Sequence, residues 1–459
     1  MLTYSLDKNK GHLSKELYKA LKRDIEEGNL KRGEKLPSKR AFARNCSVST
    51  ITVQNAYDQL VSEGYITAVE KKGYYVSDSV VKKKAKISYY VEEDQEASIE
   101  ELPDLSNNRV NVDNFPFSIW SRLMRKTMAE KQKQLLSPMV TEGVYELRKA
   151  ISHHLSSFRG MAVSPSQVLV GAGTEYLYSL IIQLLGRDKT YAIEDPSYMK
   201  LERIYESNGV KSTRVQLDEK GLSLEMLEDS GADIAHISPN HHYPTGITMP
   251  LDRRYEILSW AAGKEDRYIL EDDYDSEFRV SRNPFPTLYT LDGSGSVIYM
   301  NTFSKSLAST VRISYMVLPF DLAERFKEKL SFYSSTVSSF EQYTLASFIL
   351  DGYFEKHINR MRLFYIRQRK AIISLIYSSP MKDKCSVIEN DSGLHFILRL
   401  HTTLSDEKVK EILKEEGIKI SALSDFSHFS SISHDFIISY SNLDLEIFKK
   451  ALSILSDNV

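Results

Sequence analysis

From about residue 105 onward, six short β-rich runs, QVLVGAG, KTYAIEDP, DIAHISP, RYILEDDYD, SVIYMNTFS and ISYMVLP, alternate with helix-patterned stretches. No other feature restricts the fold as much. Strands that alternate with helices are joined by crossovers, and crossovers build a mostly parallel α/β sheet. Polar residues gather just past the C-terminal ends of these runs, where open α/β sheets place their ligand crevice. Four such ends can be read as parts of one site.

The stretch VLVGAGTEYLYSLIIQLLG reads as strand, tight glycine turn and helix. It aims the amides of Gly173, Thr174 and Glu175 from a helix N-terminus and suits a phosphate, although a glycine turn also serves backbone geometry alone. YILEDDYDSEFR puts Asp272 and Tyr274 two residues apart on one face at the end of an apolar strand, an arrangement that an ordinary acidic loop shares. In NTFSKSLASTVRISYM, Lys305 follows one strand and Arg312 heads the next, so both can turn into the same crevice. A desolvated lysine beside another cation has a lowered pKa and becomes a nucleophile for carbonyls. Amine, amide nest with arginine, and carboxylate answer the aldehyde, phosphate and pyridine nitrogen of one cofactor, pyridoxal phosphate.

Residues 1–76 have a different character. They hold 14 Lys and Arg against 9 Asp and Glu, an excess of +5 in a chain whose net charge is -2. Leu13, Leu17, Leu21 and Ile25 recur every four residues and predict a first amphipathic helix. Ser38 and Ser49 then stand as caps of two further helices, the second carrying Val53, Ala56, Tyr57 and Leu60, and YITAVEKKGYYVSD forms a hairpin with a basic tip. The pattern is a winged helix-turn-helix. Its second helix can present Ser49, Thr50, Thr52 and Gln54 to the major groove of double-stranded DNA, while Lys39, Arg40 and Arg44 reach phosphates or base edges. On the wing, Lys71 and Lys72 add backbone contacts. The expected DNA-contacting set is Ser38, Lys39, Arg40, Ser49, Thr50, Thr52, Lys72 and Gly73; read blandly, the same charges are the solvated face of a small helical module.

Residues 77–104 pass from a lysine run to an acidic run with little periodicity and read as a linker, within which ISYYV can add a short strand. Fully extended, its span of at most roughly 90 Å lets a small domain dock on a partner subunit, which makes a domain-crossed homodimer geometrically feasible. A chain of 459 residues exceeds one ordinary core. The expected division is 1–76, 77–104 and 105–459. Cys46 and Cys385 lie far apart without metal-ligand spacing, and neither the adjacent His241 and His242 on a strand nor His153 and His154 on a helix suggest a metal site. No apolar run approaches the roughly 18 residues of a membrane span, and the N-terminus MLTYSLDKNK lacks a signal-peptide core, so no membrane and a cytoplasmic location are expected.

LPSKRAFARNCSVSTITVQNAYDQLVSEGYI followed by KKGYYV resembles the DNA-binding domain of GntR-type bacterial transcription factors. EGVYELRKAISHHL, FRGMAVSPSQVLVGAGTEYL, EDPSYMK, SPNHHYPTGITMP, LEDDYDSEFR, SKSLASTVRISYMVLP and SGLHF, in that order, resemble a fold-type I aminotransferase. The whole chain is thus similar to the MocR subfamily of GntR regulators. The resemblance implies that Lys305 carries pyridoxal phosphate as a Schiff base, Asp272 bonds the ring nitrogen, Tyr274 the ring hydroxyl, and Tyr198 stacks on the ring. Thr302, Arg312 and the 173–175 turn would hold the phosphate.

The chain departs from the family at several points. Thr50, with Ile51 beside it, stands where the family commonly has an arginine. Ser309 and Ser314 replace frequent proline and glycine, and Ile437 in FIISYSNL falls where aminotransferases carry the arginine for a substrate carboxylate. Lys200, near another ligand-binding arginine position, reads as an ordinary solvated residue. The expected function is a dimeric, pyridoxal phosphate-dependent regulator sensing an amine, an amino acid or the cofactor itself, with little or no transaminase turnover. The alternatives are a working aminotransferase carrying a DNA-binding module, and a DNA-binding protein whose large domain only dimerises.

Overall fold

The computed structural model describes residues 2–4, 12–78, 102–278, 285–388, 393–429 and 433–459. The chain divides into two compact units, Met1–Ile99 and Glu100–Val459. Most of the expected linker, ISYYV included, lies outside the described residues.

In the first unit, helix α1 (Leu13–Glu27) buries Leu17, Tyr18, Leu21 and Ile25 and stops at Gly28, whose φ of 82° gives the left-handed turn that glycine adopts without strain. Helix α2 (Lys39–Asn45) and helix α3 (Thr50–Ser62) follow, and α3 buries Val53, Ala56, Tyr57 and Leu60. Strands β1 (Ile66–Val69) and β2 (Gly73–Val76) pair antiparallel, Ile66 opposite Val76. Three helices and a two-stranded wing share one small core containing Leu17, Leu21, Phe42, Tyr57 and Ile66.

The second unit is built on eight strands: β3 (Val168–Gly171), β4 (Thr190–Asp195), β5 (Lys211–Asp218), β6 (Gly221–Leu222), β7 (Ile234–Ile237), β8 (Tyr268–Asp272), β9 (Val297–Thr302) and β10 (Ser314–Val317). Their order is β3-β10-β9-β8-β7-β4-β5-β6. The central pairs are parallel, β10 runs antiparallel to both its neighbours, and β6 closes the far edge antiparallel to β5. The two faces of the sheet pack into separate cores. Leu169, Ile298, Met300 and Met316 join one with Ile181 and Phe326; their strand neighbours Val168, Val170, Tyr299, Tyr315 and Val317 join the other with Ile151 and Phe354. This is the two-residue alternation of a sheet covered on both sides, and each fully buried aliphatic or aromatic side chain contributes about 1.5–3 kcal/mol.

A second, antiparallel sheet consists of β11 (Cys385–Ile388), β12 (His395–Leu400) and β13 (Asp435–Ser439). The end of the expected linker and the residues that follow it run alongside this sheet. Lys419 N donates to Pro103 O at 2.7 Å, Ser439 N to Leu105 O at 2.8 Å, and Ser441 Oγ to Arg109 O at 2.9 Å. That path carries Asn108 to the end of β9.

Candidate cofactor site and DNA interface

Strand β9 ends in Thr302, whose Oγ1 accepts from Ser304 N at 3.1 Å and from Ser314 Oγ at 2.8 Å, fixing a single helical turn, Phe303–Ser306. Lys305 projects from this turn, half-buried, and its Nζ donates to Asn108 O at 2.6 Å. Burial pushes the ammonium down to about 8, with the Asp275 carboxylate acting the other way. Desolvation, not the neighbouring cation that the sequence suggests, lowers its pKa.

Asp272 closes β8. Tyr178 OH donates to its Oδ2 at 2.8 Å and His236 Nε2 lies 3.6 Å from the same oxygen, while Oδ1 is buried without a hydrogen-bond partner. An unpartnered buried carboxylate oxygen is costly unless a donor arrives, and a protonated ring nitrogen is such a donor. Tyr274 lies in the bend that follows β8, two residues past its end, not on the strand as expected. Its outward phase relative to Asp273 and Asp275 is nevertheless kept. Tyr274 OH is 3.1 Å from His241 Nδ1, which is 2.9 Å from Asp275 Oδ2. His241 and His242 occupy the turn after β7 rather than opposite faces of a strand. Among the described residues no group of three or more His, Cys, Asp or Glu is arranged to hold a metal.

At the start of the helix Thr174–Leu185, a Cβ on Gly173 would come within 2.5 Å of Arg312 Nη2, and Gly173 has φ +89°. The left-handed backbone favours glycine there, whereas the exposed Arg312 guanidinium could swing clear of a larger side chain. The Gly173 N–H donates to Gly171 O at 2.9 Å, so the structure assigns it to the turn and leaves the amides of Thr174 and Glu175 at the helix start, where no intrahelical carbonyl reaches them. Arg312 precedes β10 by two residues and is exposed, with Nη2 3.0 Å from Glu175 Oε2. An anion held here needs the Glu175 carboxylate to turn aside, freeing Arg312 while the backbone N–H stays in place. Amine, unpartnered carboxylate oxygen, helix start and guanidinium fit pyridoxal phosphate.

Tyr198 stands in the loop after β4, about half exposed, with Lys200 Nζ 5.9 Å from its ring centre. Ile437 is fully buried in β13 opposite Ile397, so an apolar pair occupies the place expected of a carboxylate-binding arginine. Behind the site, Arg159 and Asp273 form a buried ion pair. Asn108, Tyr178, His236, His241 and Asp275 had no local sequence signal.

In the first unit the expected contacts sort by what their side chains already do. Ser38 Oγ accepts from Ala41 N at 3.3 Å, and Ser49 Oγ accepts from Thr52 N at 3.1 Å and bonds Thr52 Oγ1 at 2.8 Å. These three hydroxyls stabilise helix starts. Lys39 lies with Nζ 5.5 Å from the Tyr74 ring centre, and Gly73, at φ +114°, shapes the wing turn beside exposed Lys72. Arg40, Ala43, Arg44, Ser47, Val48 and Thr50 line a shallow groove.

Residues 103–455 match the family of aminotransferase class I and II, and residues 13–76 match the bacterial regulatory proteins of the gntR family. An uncharacterized HTH-type transcriptional regulator of Bacillus subtilis, YdeL, is 34% identical over 416 residues, 90% of this chain and 89% of its own. The probable rhizopine catabolism regulatory protein MocR of Rhizobium meliloti is 28% identical, covering 96% and 93%. The HTH-type pyridoxine biosynthesis transcriptional regulator PdxR of Corynebacterium glutamicum is also 28% identical, covering 97% and 95%. Among solved structures, a kynurenine aminotransferase of Pyrococcus horikoshii superposes with a TM-score of 0.69 at 24% identity, over 78% of this chain and 91% of that one, a likeness of fold. Since HTH-type regulators match this chain nearly end to end, through both its winged helix and its aminotransferase fold, the protein belongs to the MocR subfamily of GntR transcriptional regulators.

Proposed function

We propose that this transcriptional regulator holds pyridoxal phosphate at Lys305 and uses it to sense a primary amine, an amino acid or the cofactor itself, changing its hold on DNA accordingly. The observation that carries this reading is the hydrogen bond from Lys305 Nζ to Asn108 O. Asn108 lies just after the linker, so the state of the lysine bears on the segment that leads to the DNA-binding unit. When bound, pyridoxal phosphate supplies an aldehyde that condenses with amines. Lys305 provides the nucleophile, and any covalent use of Nζ takes donors away from Asn108. Asp272 stabilises a proton on the ring nitrogen through its free Oδ1, Tyr274 bonds the ring hydroxyl, and Arg312 with the Thr174 and Glu175 amides binds the phosphate.

Two features support sensing over turnover. Ile437 and Ile397 offer a carboxylate no charge, and a winged helix serves a regulator that binds repeated half-sites as a homodimer in the cytoplasm. A domain-crossed arrangement is within the reach of the linker. The naming of PdxR for pyridoxine biosynthesis is in line with the cofactor as signal. The test is retention of fragmented genomic DNA by the cofactor-free protein with and without pyridoxal phosphate. Specific fragments whose retention changes with the cofactor are expected; a specific set indifferent to it would refute the sensing role.

A further inference from the structure

Ile51 is 69% exposed in the first turn of α3. Two residues from buried Val53, it points about 200° away round the helix, to the side opposite the core. A branched aliphatic side chain there contributes neither a cap nor packing, and it is a weaker helix former than alanine. Its neighbours on the outward side are Thr50, Gln54 and Asn55, all exposed, and Thr50 shares a groove with the exposed Arg40 and Arg44 of α2. The carboxylate of Asp58, two turns further along, ends this face, because it would repel a phosphate backbone.

We infer that Ile51 reads the 5-methyl group of a thymine in each operator half-site, while an amide from Gln54 or Asn55 reads an adjacent adenine. The cationic flanks match DNA phosphates, and they lie where a helix entering the major groove needs them. In that groove the thymine methyl is the one apolar group on a base edge, and a side-chain amide matches the acceptor and donor of adenine N7 and N6. With the hydroxyls of Ser49 and Thr52 engaged in the cap, Ile51, the Thr50 hydroxyl and the two amides are what the first two turns of α3 have to offer a base, and among them Ile51 is the large apolar one. The start of α3 therefore reads at least one A·T pair in each half-site.

The test uses the full-length protein. Duplexes are selected from a random library, and each thymine of the selected half-site is then replaced in turn by deoxyuridine, which lacks only the methyl. One thymine per half-site is expected where this weakens wild-type binding about fourfold, the transfer of one methyl out of water. Ile51→Ala is expected to lose about as much on the thymine duplex, to bind thymine and uracil duplexes alike, and to keep the wild-type thermal midpoint and salt dependence, since no phosphate contact is removed. Ile51→Val should retain most of the preference. Selected half-sites without a common thymine, indifference of the wild type to every uracil, or an Ile51→Ala variant that discriminates as the wild type does would each overturn the inference.

Discussion

Replacement of Lys305 by alanine removes the visible absorbance band that added pyridoxal phosphate produces in the wild type, and borohydride no longer fixes the cofactor to the chain. The reducible bond needs a primary amine, and Lys305 is the amine whose Nζ reaches Asn108 O within the field of the Asp275 carboxylate. The wild type should also load faster as pH rises through about 8, because the neutral amine is the nucleophile. At pH 7 about one lysine in ten is then neutral, against about one in three thousand for an unperturbed lysine. Asp272→Asn should still load but weakly, since an amide holds a protonated ring nitrogen less well than a carboxylate. A reducible band of wild-type intensity in Lys305→Ala would assign the chemistry to another lysine.

Arg159→Ala should destabilise the protein by about 3–5 kcal/mol, because it leaves Asp273 charged and buried. The side chains of the pair are 2% and 1% exposed. Asp273 also accepts from Tyr299 OH at 2.7 Å, Ser276 Oγ at 2.8 Å and Asn240 Nδ2 at 2.9 Å, so it cannot turn to water. It sits among Glu271 and Glu277, whose carboxyls burial and the Asp273 charge already push up to about 7. Denaturant unfolding of Arg159→Ala, beside the double variant Arg159→Met with Asp273→Leu, separates a stranded charge from lost packing: the double variant should recover much of the loss. A loss under about 1 kcal/mol for the single variant would mean that water or rearrangement compensates the carboxylate.

What the sequence revealed and what it hid follow from how local each signal was. The strands read as apolar runs are β3, β4, β7, β8, β9 and β10. Strand β5 was missed because KSTRVQLD buries only Val215 fully, and a polar strand near the sheet edge carries no run to recognise. Lys305 and Asp272 were legible because Asp272 closes β8 and Lys305 sits in the single turn that follows β9. Arg312 and Tyr274 were assigned to strands that start or stop two residues away, since pattern alone sets boundaries loosely. Ser49 and Thr52 read equally well as caps or base contacts, and their mutual hydrogen bond shows the capping role, which pattern alone does not reveal. Asn108 and His241 could not have been found, because they reach Lys305 and Tyr274 across long stretches of chain.

The central claim, that the state of Lys305 governs DNA binding, is tested most directly by operator affinity of the full-length protein at fixed salt, with and without pyridoxal phosphate, for wild type and Lys305→Ala. The wild type should change affinity on adding the cofactor and the variant should not. An equal shift in both proteins, or none in the wild type, would contradict it.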